Sequence, residues 1–282
     1  MKQPESARHR FGDVPERKSM KAPSLGTAVG GFSLRQGFSW HDPDIEGTLI
    51  VSQPSADPDL WAEYAAGAIH SYRKRGVEAA LDIEALRDGE DTIMFCSVVD
   101  DAGHVVAGLR AKALRSADDS HAVDEWAGQP GQQAVRQMLT ERVPYGVLEM
   151  KAGWVTDAAD RNPFLTSALA RSCFYMMVML DFQFGMCTAA TAILNTWRSS
   201  GPVVAAIPAT PYPDERYRTK MLWWNRRDFF NHAQPKQLAK IVSETKELLH
   251  EQFRRGQIDT GLSSLIPITQ AKSFRINDFE VV

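Results

Sequence analysis

The polar and apolar positions of this chain fall into two regimes that meet near Asp44. Residues 1–44 are rich in Pro, Gly, Ser and charge and keep no sustained period. They predict an N-terminal arm, flexible or loosely docked. Beyond it the pattern is regular. Thr48–Gln53 (TLIVSQ) reads as a strand. Asp57 is placed to cap a helix over Pro58–Arg75, in which Leu60, Tyr64, Ala68 and Tyr72 recur on one face and which Gly76 ends. Val77–Arg87 reads as a second helix, closed by Asp88-Gly89. Thr92–Val99 and His104–Leu114 flank Asp100-Asp101-Ala102-Gly103, the signal of a hairpin. Arg115–Pro144 is polar and irregular, with one short helix expected near Gln132–Thr140.

Gly146–Val155 is the next strand. A long apolar helix follows, opened by Asn162-Pro163 and ended by Gly185. Met186–Thr191 predicts a short strand and Ala192–Ser200 a brief helix. Val203–Ile207 and Thr219–Asn225 predict two more strands. Pro235–Arg255 is amphipathic, with Leu238, Ile241, Val242, Leu248, Leu249 and Phe253 on one face. That face packs on the domain or serves a partner or a second copy of the chain. Lys272–Ile276 is a candidate edge strand. The organisation expected is an arm (1–44), a central domain (45–230) and a C-terminal helix with its tail (231–282).

Composition narrows function more than fold. A chain of 282 residues, 44% hydrophobic, supports a sizeable core. A net charge of -3 offers no basic excess for nucleic acid. Cys96, Cys173 and Cys187 lie far apart in apolar runs, so they read as buried thiols in a reducing compartment rather than as a disulfide or zinc set. The histidines show no HExxH or similar spacing, so no metal is expected. Phe164–Phe184 is apolar but carries Arg171 and Asp181, which favours a buried helix over a membrane span. The N-terminus lacks the apolar stretch of a signal peptide, and a cytoplasmic location is expected.

The order of elements over Thr48–Asn225 resembles the GNAT superfamily of acyltransferases. It is most similar to the branch of acyl-homoserine-lactone synthases and long-chain N-acyl amino acid synthases. That branch has a strand of the form Glu-x-x-x-x-x-Val, matched here by Glu149 to Val155, and a polar insertion before it, matched by Arg115–Pro144. The resemblance implies an α/β fold with a mixed central sheet flanked by helices. It implies an N-acyltransferase moving an acyl group to a small-molecule amine by direct attack, with no permanently bound cofactor. The co-substrate would be acyl-CoA or the phosphopantetheine of an acyl carrier protein. It would lie between two strands that splay apart, its carbonyl against the backbone of Gly153, Trp154 and Val155.

Within that frame Glu149 is the candidate general base, since attack requires a neutral amine. It otherwise faces solvent or pairs with a neighbour such as Lys151. Arg161, with the amides near Thr166 and Ser167 at the start of the long helix, could meet phosphate. The segment has no glycine, however, where the superfamily's loop is glycine-rich, so its backbone is expected to approach a pyrophosphate less closely. Trp197 stands where relatives carry the Tyr of Tyr-x-x-x-Gly, and indole is not an acid. Tyr212 and Tyr217, in an aromatic and charged loop, are candidates for substrate recognition. The alternative function is a non-catalytic module of this fold that binds an acyl thioester, a lipid or a protein partner.

Overall fold

The computed structural model describes residues 37–156 and 162–254. Arg161, Lys272–Ile276 and all of the arm before Gly37 lie outside the described residues.

An eight-stranded sheet forms the centre. Its strands are β1 (Phe38–Asp42), β2 (Gly47–Ser52), β3 (Met94–Asp100), β4 (Val105–Leu114), β5 (Val147–Val155), β6 (Phe184–Ala190), β7 (Val203–Val204) and β8 (Thr219–Asn225). They lie in the order β1-β2-β3-β4-β5-β6-β8-β7. All neighbours are antiparallel except β5 and β6. That pair is parallel because a crossover through α5 (Leu165–Met179) returns the chain to the same end of the sheet. The described residues form the mixed central sheet flanked by helices that the element order implies.

One face of the sheet packs against α5, α6 (Leu194–Arg198) and the C-terminal α7 (Pro235–Arg254). Leu109, Leu148, Met150, Cys173, Met176, Trp197, Trp224, Ile241 and Leu248 share this core. The other face carries α1 (Pro58–Lys74), α2 (Ile83–Asp88), α3 (His121–Glu125) and α4 (Gln132–Arg142). It has two apolar clusters, one around Tyr64, Phe95 and Trp154, the other around Trp126, Leu139, Met186 and Trp223. Between them lies a buried polar zone. The cysteines Cys96, Cys173 and Cys187 are buried free thiols. No helix among the described residues is long and apolar enough to cross a membrane.

The structure revises several expectations. The last residues assigned to the arm form β1, with Phe38, Trp40 and Asp42 turned inward, so the sheet begins before Asp44. The helix expected over Val77–Arg87 breaks into a short 3₁₀ turn (Glu78–Ala80) and α2, because the Asp82 side chain accepts a hydrogen bond from Ala85 N–H and starts a new helix. Gly185 does not end the long helix. That helix stops at Met179, Asp181 takes the positive φ, and Gly185 lies inside β6. A Cβ there would stand 2.5 Å from Cys173 Sγ, so the glycine allows α5 to approach the sheet. The polar insertion holds α3 as well as α4.

Candidate functional site: a fork between two parallel strands

The ladder between β5 and β6 covers Val147↔Phe184, Leu148↔Gly185, Glu149↔Met186 and Met150↔Cys187, and ends there. Beyond it each strand keeps its outer partner. β5 continues against β4 to Val155, and β6 continues against β8 to Ala190. The two strands therefore part, and the β6-facing backbone of Lys151–Val155 loses its ladder. A register shift in the β4–β5 pairing, with Ala152 at φ 50, accompanies the divergence. Tyr64 Oη donates to Ala152 O at 3.0 Å and pins this bend from α1.

On the α1–α4 side, the residues around the fork are ionic. Glu149 is fully buried on β5. Its Oε1 accepts from Ser120 Oγ (3.1 Å) and Ala122 N–H (3.3 Å), and its Oε2 from His121 N–H (3.2 Å). These donors belong to the start of α3, where free N–H groups suit a carboxylate. Burial still pushes the Glu149 carboxyl up; Lys151 and the hydrogen bonds oppose this and Glu125 adds to it.

Glu125, the last residue of α3, stands over the crotch itself. Its Oε1 accepts from Lys151 Nζ (2.8 Å) and from Thr188 Oγ1 (3.1 Å). Lys151 and Thr188 are the first residues of β5 and β6 past the last paired rung. Glu125 Oε2 is buried and has no hydrogen-bond partner among the described residues. Burial pushes the Lys151 ammonium down, but Glu125 and Glu149 outweigh it and hold the group above the usual lysine range. The half-buried Tyr72 and Tyr212 lie close enough to feel both Lys151 and Glu125, and burial raises both phenols. His121, half-buried, is held neutral down to about pH 4 by burial and by the cations Lys151, Lys112 and Arg110.

The α5–α6 side of the fork is apolar. The Trp197 ring lies beside Gly153, with ring carbons 3.7 and 3.9 Å from where a Cβ would stand. Its buried Nε1–H has no hydrogen-bond partner among the described residues. Trp154 points to the opposite face and packs on α1, where Gly67 leaves room for its ring. Val155 ends the strand, paired with Ala107. Thr166 and Ser167 sit in the first turn of α5, half-buried, with no side-chain cap on that helix.

The structure thus gathers Glu149, Gly153, Trp197 and Tyr212 around the fork. Tyr217 instead meets Arg216, whose guanidinium lies 5.5 Å from its ring and reaches Gly76 O at the end of α1. Sequence reasoning missed Ser120, His121 and Glu125. Their signal was a serine N-cap before His121, on a helix of five residues, too short for any apolar period to show. The loop after Ile207 clamps this helix: Thr210 Oγ1 donates to Glu125 O (2.8 Å) and Trp126 Nε1 to Pro208 O (3.3 Å).

The structure is similar to GNAT acyltransferases. FeeM, an N-acyl amino acid synthase from uncultured soil microbes, matches with a TM-score of 0.42 at 9% identity over 70% of this chain and 93% of that one. BjaI, a CoA-dependent acyl-homoserine lactone synthase, matches with 0.44 at 12% identity over 70% and 88%. YhbS of Escherichia coli, a GNAT family N-acetyltransferase in complex with CoA, matches with 0.40 at 14% identity over 69% and 90%. The likeness is one of architecture. No family model matches the sequence. The chain is 53% identical over 210 residues to Uncharacterized protein Rv1356c of Mycobacterium tuberculosis, spanning 74% of this chain and 80% of that protein, and it belongs to the same family.

Proposed function

We propose that this protein transfers an acyl group from a thioester, on CoA or on the phosphopantetheine of an acyl carrier protein, to an amine. The observation that carries the proposal is the fork: two parallel strands held from outside part after Met150 and Cys187, with apolar surface on one side and buried carboxylates on the other. The thioester enters from the Trp197 side and lays its carbonyl against the β5 backbone at Gly153–Val155. Backbone N–H groups freed from the ladder stabilise the oxyanion as the amine attacks. The start of α5, with Thr166 and Ser167, suits a phosphate group of the donor. A carboxylate at the fork, Glu149 or Glu125, takes the amine's proton. Trp197 replaces an acid with an indole, which donates a hydrogen bond without giving up its proton. A thiolate leaves readily enough for that to suffice.

A second reading is a module that binds the thioester without turnover, favoured by Trp197 in place of an acidic hydroxyl. One experiment separates the two. Melting is followed with acetyl-CoA, long-chain acyl-CoA and acylated carrier protein, and thiol release is then measured with a panel of amines. A donor at about 100 times its Kd should stabilise the fold by about 2.7 kcal/mol. Stabilisation with amine-dependent thiol release supports transfer, and stabilisation without it supports the binding module. No shift with any donor sinks both.

A further inference from the structure

Of the two carboxylates at the fork, Glu149 has no oxygen to spare. Both its oxygens accept from the α3 start, and Oε1 does so twice. With both oxygens already taken up by donors of α3, Glu149 presents no open oxygen for a substrate N–H to approach. Glu125 differs. Its Oε1 bridges Lys151 and Thr188 across the divergence, while Oε2 is buried with no partner among the described residues. A buried carboxylate oxygen left unpaired is costly and rare, and is found where a ligand or a reaction makes use of it.

We infer that Glu125, not Glu149, accepts the proton of the incoming amine, and that Glu149 is a positioning residue that holds α3 so that Glu125 stands over the fork. This rests on the acyl-transfer reading. The acceptor arrives as an ammonium ion. One N–H bond breaks and an O–H bond forms on Glu125 Oε2, leaving a neutral amine. Its lone pair forms the C–N bond to the thioester carbonyl, and the C–S bond breaks. The second proton lost by nitrogen goes to the departing thiolate, giving amide, thiol and protonated Glu125, which returns its proton to solvent. Three anchors fix the base. Glu149 holds the front of α3, Thr210 holds the Glu125 carbonyl, and the Trp126 indole holds Pro208.

The test compares Glu125→Gln, Glu125→Asp and Glu149→Gln in full-length protein, with the donor and amine that the wild type uses. Removing a general base lowers kcat/KM by about 10²–10⁴-fold. Glu125→Gln should fall in that range, and its kcat/KM should follow the fraction of unprotonated amine, rising with pH in place of the wild-type plateau. Glu125→Asp retains the charge and should keep the plateau at reduced height; this variant also guards against a fold lost in Glu125→Gln, which melting reveals. Glu149→Gln should lose less activity and keep the wild-type profile. A Glu125→Gln protein that retains the plateau, or a Glu149→Gln protein that loses it, overturns the assignment while leaving acyl transfer intact. A wild type that releases no thiol with any donor and amine removes the acyl-transfer reading, and this assignment with it.

Discussion

Two buried ionic clusters lie on opposite faces of the sheet, and they are built differently. On the α5 side Arg171, 1% exposed, donates Nε to Glu244 (3.0 Å) and a terminal nitrogen to Asp42. Tyr175 Oη also donates to Glu244, Lys240 reaches both Asp42 (2.6 Å) and Asp44 (2.7 Å), and Lys236 also reaches Asp44 (3.0 Å), so three acids meet three cations. Each of these charges meets an opposite one, and the network ties α5, β1 and α7 together. On the other side Lys151 pairs with Glu125 while only its field reaches Glu149, and one oxygen of Glu125 is left without a partner among the described residues. A matched network costs little to bury and acts as a tether. A mismatched one is a standing cost, tolerated where something else arrives to use it.

The sharpest way to break the tether is Arg171→Met. It leaves buried Asp42 and half-buried Glu244 without their shared cation, with Lys240 reaching only the first. Breaking a buried pair from one side costs about 3–5 kcal/mol. Urea denaturation should show that loss while turnover per folded molecule stays near the wild-type value. At the fork the balance should invert. Thr188→Val removes one hydrogen bond to Glu125 Oε1, a stability loss of about 0.5–1.5 kcal/mol. Activity should fall by more than that fraction of folded protein explains, because Glu125 loses its tie to β6. If Arg171→Met silences turnover in folded protein and Thr188→Val leaves it untouched, the two clusters have exchanged roles.

How much of this was legible beforehand follows from the length of each element. The hairpin β3–β4, strand β5, helix α1 and helix α7 carry enough residues for alternation or a helical period to show, and they stand where the pattern put them. Glu149 was visible because it lies on a long strand. Its partners were not, because α3 has five residues in a polar stretch and its burial comes from Trp126 and Val123 meeting distant Ile207 and Met221. Gly185 misled because glycine serves both as a helix end and as a site of close packing, and only the position of Cys173 decides which. The unpaired oxygen of Glu125 is a property of three elements brought together, β5, β6 and α3, and no local pattern encodes it.

The smallest expected effect separates the clusters by pH. Asp42 is pushed up by burial, but the Lys240 hydrogen bond and the Arg171 charge outweigh this and hold its carboxyl below the ordinary 3.8. A depressed acid stabilises the fold above its unfolded value and loses that contribution as pH falls through the folded one, so the tether weakens only below about pH 4. His121 acts earlier. Burial and then Lys151, Lys112 and Arg110 lower its value from 6.5 to about 4, so the unfolded chain takes up a proton that the folded protein refuses. Its contribution is whole above 6.5, declines as pH falls and levels off near 4. Glu149, raised by burial, runs the other way: the folded state binds its proton more readily, so that contribution grows as pH falls toward 4.5. The opposing slopes make the wild-type curve shallow, and the separation comes from difference curves. The stability of the wild type minus that of His121→Asn, from urea midpoints between pH 8 and 4, should decline as pH falls. The same difference for Glu149→Gln should rise. Partial exposure of His121 keeps its effect modest. A flat His121 difference would mean that the imidazole is solvated as in the unfolded chain, and that the cations of β4 and β5 do not converge on the start of α3.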